Sequence, residues 1–399
     1  MLYIIKNLLF VILILCCNTN ANQSNNDSNN NKNNNNSTQQ KSKKAVRILS
    51  LDGGGTRGYI QAKFLELLCN EYNIKNLSKY FDIIVGTSVG GLNTILITHG
   101  ITPSKLIEFY RNITPWIFTI RSIKDIFSNN TTITSNKPNT LQKLLFMIFS
   151  NPFYKSVSES SNYGDARLRK EINDVFGDKL LNSIKTPILL TAYNDSGNSP
   201  MIFTNVKLPS IPNTFTDIKI VDAVMATMSA PIYFPKTRVS LSSQYKDQYI
   251  YIMDGGIFQN NPSLLALIAA QSIYPNAERY CILSIGTGRR IRKRSLNLDT
   301  EKLSLSKTIT TQYNLYGVTL SNAMIANDIV LQNISKFSKK PIISYYRFNF
   351  TLDNKINCAM DTSTPEFFDY LDNAVKTQYE LDQSKIKEFV KNMKDTNNE

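Results

Sequence analysis

Phe81-Asp82-Ile83-Ile84-Val85-Gly86-Thr87-Ser88-Val89-Gly90 decides the reading of this chain. Its first half is a short apolar run, which predicts a buried strand. Its second half is Gly-x-Ser-x-Gly, and from Val89 to about Gly100 the pattern becomes helical. Strand, tight turn and helix in that order lift a serine hydroxyl to the top of a sheet. Gly86 and Gly90 frame that turn, and Ser88 is the candidate nucleophile.

A serine nucleophile normally hands its proton to a histidine. This chain has one histidine, His99, eleven residues beyond Ser88 on the same predicted helix. At ~1.5 Å rise per residue it lies roughly 16 Å from the serine. It cannot reach the hydroxyl, and a structural role is expected for it. A carboxylate is the remaining base. Asp254 follows the β-rich run Tyr249-Ile250-Tyr251-Ile252-Met253 and precedes Gly255-Gly256. A carboxylate released at a strand end lies where active sites of open sheets collect. Asp195, in a turn, and Asp222, at a helix start, are the alternatives. Neither has the strand–Asp–Gly-Gly context. A Ser–Asp dyad needs one hydrogen bond, from Ser88 Oγ to Asp254. Aspartate is a weak base for a hydroxyl, so oxyanion donors must carry much of the transition-state charge.

Those donors are read from the run after Ile48-Leu49-Ser50-Leu51, which predicts a strand. Asp52-Gly53-Gly54-Gly55-Thr56-Arg57-Gly58 follows, then a helix from Tyr59 to about Cys69. Glycines at a helix N-terminus leave backbone N–H groups open to an anion. Gly53, Gly54 and Gly55 are assigned to an oxyanion hole, where one donor contributes about 3–4 kcal/mol. Arg57 either adds fixed positive charge or holds the loop. Gly53-x-Gly55-x-x-Gly58 also matches a dinucleotide fingerprint. That fingerprint wants an acid at the end of the second strand. Here Asp82 sits at its start. A phosphate-binding P-loop is excluded, since no Gly-Lys-Ser/Thr follows.

Asp52-Gly-Gly-Gly-Thr-Arg-Gly58, Gly86-Thr-Ser-Val-Gly90 and Asp254-Gly-Gly256, in that order, resemble the motifs of the patatin-like phospholipase family. Ala226-Thr227-Met228-Ser229-Ala230-Pro231-Ile232-Tyr233-Phe234-Pro235 is similar to a fourth family segment. The resemblance runs from about Val46 to Gly288. It implies a three-layer α/β/α sandwich with a central, mostly parallel sheet. It also implies Ser88 as nucleophile, Asp254 as base, an oxyanion hole in the glycines after Asp52, and metal-free hydrolysis of lipid acyl esters.

The N-terminus reads as a secretory signal over residues 1–21. Lys6 gives a positive start, and Leu8 to Cys17 form an apolar stretch too short to span a bilayer. Cleavage is expected after Ala21; an uncleaved anchor is the alternative. Residues 22–44 hold ten Asn in 23 positions and read as a disordered linker. A catalytic domain is expected over 45–290 and a C-terminal extension, packing on or beside it, over 291–399. Within the domain, 115–161 is a possible lid, with an ordinary packed helix as the bland reading of Leu141 to Phe153. From Pro365 to Met393 the pattern is helical.

Beyond the signal only Cys69, Cys281 and Cys358 remain, an odd and widely spaced set that argues against a disulfide framework. No Cys or His cluster has metal-ligand spacing, and no cofactor is expected. The formal net charge is +14, sharpest at Arg289-Arg290-Ile291-Arg292-Lys293-Arg294. That run is either a solvated loop or a docking element for an anionic phospholipid surface. No aromatic-interleaved motif accompanies it, and nucleic acid is not an expected partner. The sequence reading is therefore a secreted phospholipase A-type hydrolase acting at membranes, with an activator protein as a possible partner. A non-catalytic storage or host-interaction protein of the same fold is the rival.

Overall fold

The computed structural model describes residues 43–118, 165–231, 233–240, 249–290 and 312–394. The signal, nearly all of the linker, residues 119–161 of the possible lid and the basic run 291–294 lie outside the described residues.

The chain opens with β1 (Ala45–Leu51), then a 3-10 turn (Gly55–Gly58) that runs into α1 (Tyr59–Tyr72). Next come β2 (Ile83–Thr87), α2 (Val89–Thr98) and α3 (Pro103–Asn112). They are followed by α4 (Ala166–Phe176), β3 (Ile188–Asn194), β4 (Ser199–Thr204), β5 (Thr214–Phe215) and α5 (Ile220–Met228). The hairpin β6 (Thr237–Ser240) and β7 (Tyr249–Asp254) precedes α6 (Ser263–Ile273) and β8 (Arg279–Ile285). The last third holds α7 (Gln312–Phe337), β9 (Ile342–Phe348), α8 (Pro365–Leu381) and α9 (Gln383–Met393). The helical pattern over Pro365–Met393 is thus two helices, broken at Asp382, whose carboxylate accepts from the side chains of Gln378 and Lys385.

The sheet order is β5-β4-β3-β2-β1-β8-β9. β3, β2, β1, β8 and β9 are mutually parallel, and β4 is antiparallel to β3. Parallel strands buried on both faces read as continuous apolar runs, which is how β1, β2 and β8 appear in sequence. On one face Leu49, Leu51, Leu283, Ile285 and Phe348 join a core with α1, α2, α8 and α9. The rings of Phe64 and Phe348 lie 4.3 Å apart in it. On the other face the Ser263 hydroxyl of α6 lies 2.9 Å from Ser50 Oγ and 2.8 Å from Ser284 Oγ. The expected layered sheet, mostly parallel and flanked by helices, is what the chain forms.

The chain leaves β1 toward β2 and β3 on one side and returns to β8 and β9 on the other. The crevice beyond the carboxyl ends of strands at such a switch point is where open α/β sheets bind ligands. Here those ends release Asp52, Ser88 and Gly286.

Candidate active site

Ser88 sits between the end of β2 and the start of α2 with φ 54° and ψ −124°. A non-glycine residue holds that conformation only when its surroundings enforce it. They do so here. The Ser88 N–H donates to Thr227 Oγ1 at 2.9 Å, and that hydroxyl donates to Thr191 O at 2.6 Å. Ser88 O accepts from the N–H groups of Gly91 and Leu92 in the first turn of α2. The turn is tight enough that a Cβ at Gly86 would overlap Gly90 O, and one at Gly90 would overlap Leu51 O.

Asp254 ends β7 and is 2% exposed. β3 explains its position. Along its Ala192–Asn194 segment β3 pairs with β4 on one edge and β7 on the other. The latter edge is the one β2 occupies up to Thr191. β2 and β7 therefore meet end to end, with Thr87 opposite Thr191 and Asp254 opposite Ala192. The Ser88 hydroxyl lies near enough to the Asp254 carboxylate to favour its charged form. The same carboxylate accepts from the Gly256 N–H at 2.7 Å. Burial pushes the Asp254 carboxyl up to about 7, against the opposing pull of these two donors. Gly255 packs directly over Thr191, where a Cβ would overlap the threonine.

The glycine loop is anchored through its carbonyls. Gln61 Nε2 donates to Asp52 O at 2.8 Å, Thr287 Oγ1 to Gly53 O at 2.8 Å, and Arg57 Nε to Gly54 O at 3.3 Å. The Gly53 N–H donates to Asn260 O at 3.2 Å. Of the three glycines expected to face an oxyanion, Gly53 thus has its N–H engaged. The N–H groups of Gly54 and Gly55 have no acceptor among the described residues. They stand at the leading end of the 3-10 turn and α1, where helical N–H groups lack internal partners. Gly55 has φ +62°, and a Cβ there would overlap Met360 O. Gly58 packs against Tyr110 and Val89. Arg57 is half-buried, and burial lowers its guanidinium to about 10.

Asp52, read from sequence only as part of the glycine motif, is completely buried and gripped by Arg347 of β9. Arg347 Nη2 lies 2.5 Å from Asp52 Oδ2, and Nη1 lies 3.2 Å from Oδ1. Sequence reasoning missed Arg347. The available signal was one arginine inside the β-branched and aromatic run Ile342-Ile343-Ser344-Tyr345-Tyr346-Arg347-Phe348.

The other candidates fall elsewhere. His99 caps α2, with Nδ1 2.9 Å from Ile95 O and its ring 4.5 Å from that of Phe176. Asp195 pairs with Lys236 at 2.6 Å, and Asp222 with Arg169 at 2.9 Å. Among the described residues no group of three or more His, Cys, Asp or Glu could hold a metal ion.

A strained serine near a buried carboxylate, with the glycine loop packed against it at Gly53, is an arrangement able to carry acyl transfer. Comparison with known proteins gives the family. Residues 49–267 match the family model for patatin-like phospholipase, more than half of the chain, and the chain belongs to that family. It is 32% identical over 266 residues to patatin-like protein 1 of Arabidopsis thaliana, covering 62% of this chain and 60% of that one. It is 31% identical over 235 residues to the cGAMP-activated phospholipase of Vibrio cholerae, covering 56% and 58%. To the rat calcium-independent phospholipase A2-gamma it is 26% identical over 362 residues, covering 87% of this chain and 40% of that protein. The chain spans about six-tenths of the length of the plant and bacterial relatives.

Proposed function

We propose that the protein is a phospholipase A-type acyl hydrolase that works through a Ser88–Asp254 dyad. The observation that carries this reading is the strained Ser88 at the point where β2 and β7 meet end to end, which brings it to the buried Asp254 carboxylate. Ser88 Oγ attacks the ester carbonyl carbon, and its proton passes to Asp254. The carbonyl oxygen becomes an oxyanion held by the Gly54 and Gly55 amides. The tetrahedral adduct then expels the lysolipid oxygen, which takes the proton back from Asp254. Water repeats the sequence on the acyl-serine: Asp254 receives its proton, the fatty acid leaves, and Ser88 Oγ is reprotonated. A base raised to about 7 suits this shuttle, because proton transfer is most effective when the carrier titrates near working pH.

The same reading makes residues 45–290 the catalytic domain, with 291–399 continuing its sheet through β9, and makes the N-terminal 21 residues an export signal. Its surface partner is a phospholipid bilayer. Arg289 and Arg290, exposed just beyond the carboxyl end of β8, supply charge suited to anionic lipid. Activation by a further partner is part of the proposal, as the name of the Vibrio relative records for that enzyme.

A fluorophosphonate probe tests the dyad. Stoichiometric labelling of the full chain, mapped to Ser88 and lost in Asp254→Asn, is the expected result. Labelling at another serine, or equal labelling of Asp254→Asn, would refute the assignment.

A further inference from the structure

Two contacts reach the glycine loop directly from the C-terminal segment, beyond the residues that match the family, and a third reaches it through Asn260. Arg347 forks onto Asp52. Met360 O accepts from the Thr56 N–H at 2.7 Å and from Thr56 Oγ1 at 3.1 Å. Met324 Sδ lies 2.8 Å from Asn260 Nδ2, and Asn260 in turn takes the Gly53 N–H through its carbonyl oxygen. The Arg347 contact is the strongest of these in kind, a bidentate ion pair with both side chains buried.

We propose that Arg347 is a positioning residue for acyl transfer: it holds and neutralises Asp52, so that the Gly54 and Gly55 amides face the reacting carbonyl oxygen. The inference rests on the hydrolase reading above. It extends that reading by making the C-terminal segment part of the active-site apparatus. The first reason is geometric. Asp52 begins the loop, and its two oxygens are the only side-chain handles before Thr56. Fixing both through a planar fork leaves the carboxylate no rotation of its own. The carbonyls of Gly53 and Gly54 are held by Thr287 and Arg57, and across each planar trans peptide the Gly54 and Gly55 N–H groups point the opposite way. The second reason is electrostatic. Burial raises the Asp52 carboxyl and Arg347 opposes that rise, so the fork keeps the carboxylate charge, one residue from Gly53, compensated in a desolvated site where an oxyanion must form. Fields there act with little screening. The Arg347 guanidinium cancels that charge, and its Nη1 also donates to Ser284 Oγ at 2.6 Å, which anchors the fork to β8.

A buried ion pair can also be purely structural, or even neutral for stability. Two variants of the full chain separate these roles. Arg347→Lys keeps one charge and loses the fork. The double variant Asp52→Asn/Arg347→Gln keeps hydrogen-bonding groups and removes both charges. The first readout is amide hydrogen exchange over residues 49–60, compared with β8 in the same sample. Exchange in the loop is expected to quicken at least tenfold in both variants while β8 stays protected. The second readout is hydrolysis of a soluble ester. A kcat at least tenfold lower with KM changed less than twofold is expected, and Arg347→Lys should fall between wild type and the double variant. If the double variant does not fold, Arg347→Lys decides by the same two readouts. Loop exchange equal to wild type, or a lowered thermal midpoint with unchanged kcat, would overturn the proposal. Exchange reads the loop whether or not the chain turns over any ester, so failure of the hydrolase reading is told apart from failure of the clamp.

Discussion

Asp254 and Ser88 meet because the strands that carry them, β7 and β2, run toward each other along one edge of β3. β2 ends opposite Thr191 and β7 ends opposite Ala192. Neither side chain needs a long reach. Asp254 arrives at the elbow on rigid backbone, and the burial that raises its pKa is a consequence of its place inside the sheet. The proposed hydrolase chemistry, with the only histidine far down α2, depends on such an arrangement.

The pH profile follows from that burial. The base works as the carboxylate, and burial moves its titration from 3.8 to about 7. With Asp254 as the base, kcat/KM for a soluble ester rises with pH through an apparent pKa within about one unit of 7, and falls tenfold per unit below it. A flat profile between pH 5 and 9 would speak against Asp254 in that role.

Stability should show the opposite sign. The unfolded carboxyl titrates near 3.8 and the folded one near 7. Between those values the folded state holds the extra proton. Raising pH through that window therefore costs folding free energy, and above 7 the cost is complete. Each pH unit separating the two titrations corresponds to about 1.4 kcal/mol, which puts a ceiling of roughly 4 kcal/mol on the penalty. Asp254→Asn should be inactive yet more stable than wild type at pH 8, by up to that amount. The gap should close by pH 4. Denaturant unfolding at the two pH values measures it, and equal stabilities at pH 8 would contradict the assigned burial.

His99 offers a separate check. Burial lowers its pKa, so it too titrates in the acid limb. Its contacts are with Ile95 O and the Phe176 ring. His99→Gln should leave kcat and the midpoint of the pH profile within twofold and a few tenths of a unit of wild type. A lost acid limb would assign that limb to the histidine instead.

The parts of the site that were legible in the sequence are those set by local backbone chemistry. The run Ile48 to Gly58 announces a strand, a glycine loop and a helix start. Gly86-Thr87-Ser88-Val89-Gly90 announces an elbow, since only glycine tolerates the close approaches at positions 86 and 90. Asp254 was legible from its strand and two glycines. Long-range pairing was not. Nothing near Asp254 says that β7 is antiparallel to β3 and end-on to β2. Arg347 was hidden because its partner lies 295 positions away and its own strand sits in a region without motifs. In sequence Gly53 is equivalent to its two neighbours, and only the fold places Asn260 O on its N–H. The break at Asp382 was invisible because α8 and α9 carry the same helical pattern on both sides of it.

The dyad stands or falls on fatty-acid release from mixed phospholipid vesicles by the full chain, measured for wild type, Ser88→Ala and Asp254→Asn side by side. Wild type should release fatty acid and either variant at least a thousandfold less, with all three showing the same fold by circular dichroism. Release by Ser88→Ala or Asp254→Asn at a rate near that of wild type would be incompatible with a Ser88–Asp254 hydrolase.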